Sequence, residues 1–208
     1  MNKIFPPLFT FVGSSGSGKT TFIENLIPIL VKKGLKVGAI KHDAHKFEID
    51  KPGKDSYRLK HAGAKQVLIS SKEKIATVVD TDRDLTIKEL VLKYFGDCDI
   101  ILTEGYKKSN IPKFEIYRLG NEKDPLCFND KSLIGVITDS KVNIDVKKFL
   151  LNDYEAVAEY ILHISNLKEI DIDINCSDEV LKSILTNTVR NLKFFENINK
   201  IKISVEIE

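Results

Sequence analysis

"GSSGSGKTT", Gly13–Thr21, follows the apolar run Leu8–Val12 and leads straight into a stretch with helical spacing. The residue types in this run are set by one task. Glycines let the backbone curl until consecutive N–H groups converge on a single anion. The helix that follows adds its unpaired N-terminal donors and its dipole. The spacing Gly13-x-x-x-x-Gly18-Lys19-Thr20 between a strand and a helix therefore predicts a phosphate loop. A flexible glycine-serine turn is the competing reading, and the intact strand–loop–helix context disfavours it. Gly13, Ser14, Ser15, Gly16, Ser17, Gly18 and Thr21 are expected to line a nucleoside triphosphate. Lys19 is placed to bridge its β- and γ-phosphates in catalysis, and the Thr20 hydroxyl to bind Mg²⁺.

Outward from the loop, Thr20–Gly34 carries apolar residues at Phe22, Ile23, Leu26, Ile27 and Leu30, with basic residues in the last turn and a glycine stop. Pro28 lies inside this helix and removes one backbone donor, so a kink is expected. "LKVGAIK" reads as a second strand. "DCDIILTEGYK" reads as a strand running parallel beside the first, with Asp99 at its start and Glu104 at its carboxyl end. A carboxylate at that end lies near bound phosphates, so Glu104 is the candidate for holding magnesium or orienting water. Asp99 is assigned a capping or surface role, and Gly105 permits a tight turn. "GVITDS" sets Asp139 at the end of a late strand, where its carboxylate could accept hydrogen bonds from guanine; an exposed turn is an equal alternative.

The other segments complete an α/β pattern. "DSYRLKHAGA" reads as a short helix closed by Gly63, and "KQVLIS" and "KIATVVD" as strands. "TIKELVLKYF" is a helix opened by a Thr86–Glu89 capping box, while "KFEIYRL" and "SLIGVITD" are strands. "NIDVKKFLLNDYEAVAEYILHI" reads as largely helical. The fold class expected is a P-loop NTPase three-layer αβα sandwich with a mostly parallel central sheet. Residues 1–165 would form the nucleotide-binding domain, and 166–208 a small βαβ-like extension with alternating strands "KEIDIDINC" and "IKISVEIE".

Composition narrows the function classes. With 208 residues, 42% apolar and 30% charged, the chain has the profile of a globular protein with one sizeable core. No run approaches the ~20 apolar residues of a membrane span, and "MNKIFPPLFTFVG" reads as a first strand, so the cytoplasm is the expected compartment. A net charge of +2 argues against nucleic-acid binding built on bulk charge. Cys98, Cys127 and Cys176 are widely spaced and fit free thiols better than a disulfide frame.

"KHDAHKFEIDKPGKDSYR", Lys41–Arg58, sets two histidines among nine other charged residues. It reads in three ways. His42 and His45 with an aspartate would make a metal site. The segment would otherwise be a solvated turn. In the preferred reading it is a switch-like loop after the second strand: Lys41, Lys54 and Arg58 neutralise phosphates of the bound nucleotide, and Asp43, Asp50 and Asp55 hold those cations in place or reach magnesium through water. Asp55 is expected to cap the helix that starts near Ser56.

The phosphate loop, the block Ile40–Ala64 and "DIILTEGYKKSNIPKFEIYR", Asp99–Arg118, together resemble the MobB family of molybdopterin-guanine dinucleotide biosynthesis adaptors, over roughly residues 8–165. The resemblance implies GTP and Mg²⁺ binding with weak hydrolysis, and a homodimer. It also implies association with the MobA-like nucleotidyltransferase that attaches GMP to molybdopterin. Gly13, Gly16, Gly18, Lys19 and Thr20 would hold phosphates and magnesium, with Glu104 and Gly105 as the second acidic element. The histidine-rich block, His42 included, would face the same cleft, its cations meeting phosphates of GTP or of a phosphorylated pterin. The rivals are a P-loop kinase acting on a pterin or other alcohol, with Lys41–Arg58 as its lid, and an interaction protein whose loop binds nothing.

Overall fold

The computed structural model describes residues 6–42, 50–121, 124–165, 171–175 and 200–204. These fall into two compact units, one of residues 1–42 and 91–208, the other of residues 43–90.

The first unit is built on a six-stranded sheet. Its strands are β1 (Leu8–Val12), β2 (Val37–Lys41), β5 (Ile100–Glu104), β6 (Lys113–Tyr117), β7 (Leu133–Thr138) and β8 (Lys147–Phe149), in the order β2-β5-β1-β6-β7-β8. Every neighbouring pair is parallel. All six carboxyl ends therefore lie along one edge, where open α/β sheets bind ligands. β1, which ends at the glycine loop, sits between β5 and β6.

Helix α1 (Lys19–Lys32) buries Phe22, Ile23, Leu26 and Leu30, the stripe that the spacing predicts. It runs through Pro28 as one 14-residue element. With α4 (Tyr154–Ser165) it closes one face of the sheet over Phe9, Phe11, Ile100, Leu102, Phe114, Ile116 and Ile137. Phe114 is the centre of this core: it stacks on Phe11 at 5.3 Å and meets Phe149 edge-on at 6.1 Å. Gly135 makes room for that ring, since a Cβ there would stand 2.8 Å from Phe114.

One expected helix is shorter than its apolar pattern suggests. Lys147–Phe149 is a strand paired to β7, and α4 begins only at Tyr154. Phe149 is 5% exposed and fills the core, while Asp153 Oδ2 accepts the Leu150 N–H and the Asp153 carbonyl accepts the Val157 N–H. The Asp153 carboxylate closes the Leu150–Asp153 turn, its carbonyl takes the first helical bond, and burial of Phe149 claims the residues before the turn.

The second unit holds α2 (Asp55–His61) and an antiparallel hairpin of β3 (Gln66–Ser70) and β4 (Ile75–Val79). Helix α3 (Ile87–Tyr94) starts with the expected capping box: the Thr86 N–H donates to Glu89 and the Glu89 N–H to the Thr86 hydroxyl. α2 begins one residue earlier than anticipated. Its N-cap is Lys54, with no side-chain cap bond, and Asp55 is already helical, so Asp55 complements the helix dipole rather than capping.

In the carboxyl-terminal region β9 (Asp171–Asn175) and β10 (Lys200–Ser204) pair in parallel, Lys200 opposite Asp171 and Lys202 opposite Asp173. The helix expected between them lies outside the described residues. Among the described residues no helix is long and apolar enough to cross a membrane.

Candidate functional site

The sheet edge at β1 assembles the predicted centre. Gly13, Gly16 and Gly18 all have positive φ (150°, 79° and 92°), which carries the chain around from β1 into α1. Gly13 is also required sterically, because a Cβ would lie 2.5 Å from the Ile116 carbonyl oxygen and 2.6 Å from Ser17 Oγ. Gly18 is the N-cap of α1 and brings no side-chain cap, so the first N–H groups of the helix keep their capacity for an anion. Lys19 Nζ donates to the carbonyls of Gly13 (3.2 Å) and Ser14 (3.0 Å), which draws the ammonium across the loop it serves. Ser15, Gly16, Thr20 and Thr21 are exposed, whereas Ser17 is 1% exposed and packs under the loop.

The second acidic element arrives on β5. The register sets Glu104 between Phe11 of β1 and Lys41 of β2. Its Oε2 accepts a 2.7 Å hydrogen bond from Thr20 Oγ1, joining the two groups singled out for magnesium. Two hard oxygen donors of this kind, one hydroxyl and one carboxylate beside a phosphate loop, fit Mg²⁺ chemistry. Asp99, at the far end of β5, accepts the Lys36 N–H at 2.9 Å and so has the strand-start role expected of it.

The turn after Glu104 is held tightly. Thr10 Oγ1 donates to the Gly105 carbonyl at 2.6 Å, and Gly105 N–H to the Phe11 carbonyl at 3.2 Å. Tyr106 has φ 52°, a left-handed conformation that few non-glycine residues adopt. Its ring stacks on His42 at 4.4 Å, and the His42 N–H donates to the Glu104 carbonyl. His42 thus packs beside the acidic element, with Lys41 exposed just before it.

Asp139 lies at the carboxyl end of β7, exposed, in a cleft of about 530 Å³ shared with Tyr117, Phe128, Lys141 and Asn143. In the second unit, Lys54 lines a separate cleft of about 620 Å³ with Lys51, Leu59 and Ile69, and Asp55 pairs with Arg58 at 3.6 Å on the surface. Asp43 and His45 lie outside the described residues.

Residues 8–139 match the family model for molybdopterin guanine dinucleotide synthesis protein B, MobB. The chain belongs to the MobB family. Within that family it is 36% identical over 168 residues to the molybdopterin-guanine dinucleotide biosynthesis adapter protein of Escherichia coli K12, covering 77% of this chain and 94% of that protein. The corresponding Haemophilus influenzae adapter is 36% identical over 156 residues, covering 74% of this chain and 87% of that one. Among solved structures, Bacillus subtilis MobB superposes with a TM-score of 0.60 at 27% identity, covering 76% of this chain and 96% of that one. A second MobB crystal structure gives 0.58 at 28% identity, over 76% and 98%. As a MobB-family chain, the protein is an adaptor of molybdopterin guanine dinucleotide biosynthesis on the P-loop α/β fold.

Sequence reasoning missed three MobB side chains on β6, the strand beside β1. Lys113 and Glu115 are 0% and 1% exposed on one face of β6, and Tyr117 continues the row into the Asp139 cleft. Lys113 Nζ donates to the carbonyls of Lys107 (2.9 Å) and Ser109 (2.8 Å) and to Asp130 (2.6 Å). That pairing, with the Ser132 bonds, holds the Asp130 carboxyl down at about 2. The signal was present in "KFEIY", where charges alternate with apolar residues on a strand too central to expose either face.

Proposed function

We propose that the first unit binds GTP with Mg²⁺ and hydrolyses it weakly, as the nucleotide-controlled part of an adaptor for attachment of GMP to molybdopterin. The observation that carries the reading is the 2.7 Å Thr20–Glu104 contact beside the phosphate loop. It supports a metal site made of Thr20 and Glu104, with Lys19 and the loop N–H groups gripping phosphate oxygens. The bound ion would neutralise charge developing on the γ-phosphate. The chain's own groups orient the triphosphate; no arginine is assigned as a charge-stabilising finger, in keeping with slow turnover. The cleft beside Asp139, with the Tyr117 and Phe128 rings, supports a nucleobase site in which the carboxylate accepts guanine N–H groups.

By family likeness we assign the same protein a homodimer, a MobA-like nucleotidyltransferase and molybdopterin as partners, and a cytoplasmic setting. Lys54 and Arg58, with Asp43, Asp50 and Asp55, remain our candidates for a phosphate-responsive loop; the 3.6 Å contact of Asp55 with Arg58 supports a pairing of those carboxylates with its cations. We also retain residues 166–208 as an extension of its own, which the separate β9–β10 sheet supports.

Calorimetric titration with GTP and ATP, with and without Mg²⁺, tests the reading. The expected result is micromolar or tighter GTP binding, strengthened by Mg²⁺ and lost in Lys19→Ala. Equal affinity for ATP would remove the guanine assignment. Phosphate transferred to a pterin in product analysis would make the protein a kinase instead.

A further inference from the structure

β6 buries a carboxylate where a leucine would pack more cheaply. Glu115 is 1% exposed, and desolvation pushes its carboxyl above the usual range even though two backbone N–H groups point at it. Those donors are the consecutive amides of Leu126 and Cys127, one to each carboxylate oxygen, at 2.5 and 2.8 Å. A two-pronged grip on adjacent amides fixes both the position and the orientation of a loop, which apolar packing alone does not. The loop gripped in this way is one wall of the cleft beside Asp139: Pro125 and Phe128 flank the held amides and face that cleft. The same row of β6 secures the loop twice more. Lys113 holds Asp130 near its far end, and the Tyr117 ring meets Phe128 edge-on at 5.8 Å. Tyr117 and Asp139, by contrast, stand on or next to strands and need no such fixing.

We infer that Glu115 is a positioning residue for nucleoside recognition, holding the Pro125–Phe128 wall at the width that a purine base requires. The inference rests on the nucleobase cleft proposed above and adds the group that shapes it. Glu115 touches neither base nor phosphate. Its carboxylate bonds the Leu126 and Cys127 amides and not the phosphate loop, which abuts β6 through the Ile116 backbone, so its loss acts on the base-binding share of affinity and leaves the loop intact.

The test compares GTP with inorganic tripolyphosphate, both with Mg²⁺, by calorimetry on the full chain. In Glu115→Gln, where one oxygen becomes a donor facing an N–H, GTP affinity is expected to fall at least tenfold. Tripolyphosphate affinity should stay within twofold. Glu115→Asp, which keeps the charge on a shorter stem, should recover part of the loss, and it serves as the readout if Glu115→Gln fails to fold. A parallel fall for both ligands would make Glu115 a plain stability element and overturn the inference. So would unchanged GTP affinity in both variants. The wild type separates the two levels of the argument: equal affinity for GTP and tripolyphosphate removes the cleft and the inference together. A GTP preference that survives both substitutions removes only the role of Glu115.

Discussion

Replacing Lys113 by methionine keeps the side chain's length and most of its volume but deletes a fully buried ammonium. Three acceptors lose their donor: the Lys107 and Ser109 carbonyls and the Asp130 carboxylate. Removing one member of a buried ion pair typically costs about 3–5 kcal/mol, since the other charge is left uncompensated. Asp130 is 31% exposed and keeps its Ser132 bonds, so water relieves part of that charge. The two carbonyls add about 1 kcal/mol each when left unpaired, and the buried methionine returns some hydrophobic gain. The expected loss is about 3 kcal/mol, equivalent to a fall of roughly 6–12 °C in Tm for a chain of this size. Urea unfolding with linear extrapolation measures it, together with Lys113→Met/Asp130→Asn, which removes the orphaned charge and should recover at least about 1 kcal/mol. A loss under about 1 kcal/mol, or no recovery in the double variant, would refute the reasoning and reduce the contact to the worth of a surface pair.

Three further outcomes follow from the same geometry. The Asp130 carboxyl is held at about 2 against an ordinary 3.8, so its contribution is present above the ordinary value and lost as pH falls through about 2. Discounted for its partial exposure this amounts to about 1–2 kcal/mol, seen as a steeper acid loss of stability between pH 4 and pH 2 in wild type than in Asp130→Asn. Gly13→Ala sets a Cβ 2.5 Å from a backbone carbonyl that cannot move aside, so about 2–4 kcal/mol of stability should go, along with at least a hundredfold in GTP affinity by calorimetry. Glu104→Gln should bring GTP affinity in Mg²⁺ down to the value in EDTA while leaving the EDTA value unchanged; retained Mg²⁺ enhancement would exclude Glu104 from the metal site.

The phosphate loop and its sheet were legible because their signals are local. Gly13–Thr20 carries the loop in its spacing, and Leu8–Val12 and Phe22–Leu30 announce their periods. Glu104 was legible by one more step, since a strand's carboxyl end in a parallel sheet is also the ligand edge. The short strand Lys147–Phe149 was not, because three residues carry no period and Phe149 suits either a helix face or a strand. Lys113 and Glu115 escaped for a different reason. A charge on a strand usually marks the solvent face, and only the positions of Asp130 and of the Leu126–Cys127 amides, fixed by tertiary structure, make burial tolerable. The conformation of Tyr106 likewise depends on contacts that its sequence neighbours do not contain.

The place of β1 in the middle of the sheet has a consequence for how the protein is made. Its two neighbours are β5 and β6, whose residues pair with β1 across 93 or more positions of chain, as Leu8 with Ile101 and Thr10 with Lys113. At ribosomal speeds of about 5–20 residues per second, the glycine loop is synthesised roughly 5–20 s before the strand that carries Glu104. The phosphate loop is thus translated well before the strands that frame it, and ribosome-bound chains stopped short of Glu104 should not retain GTP.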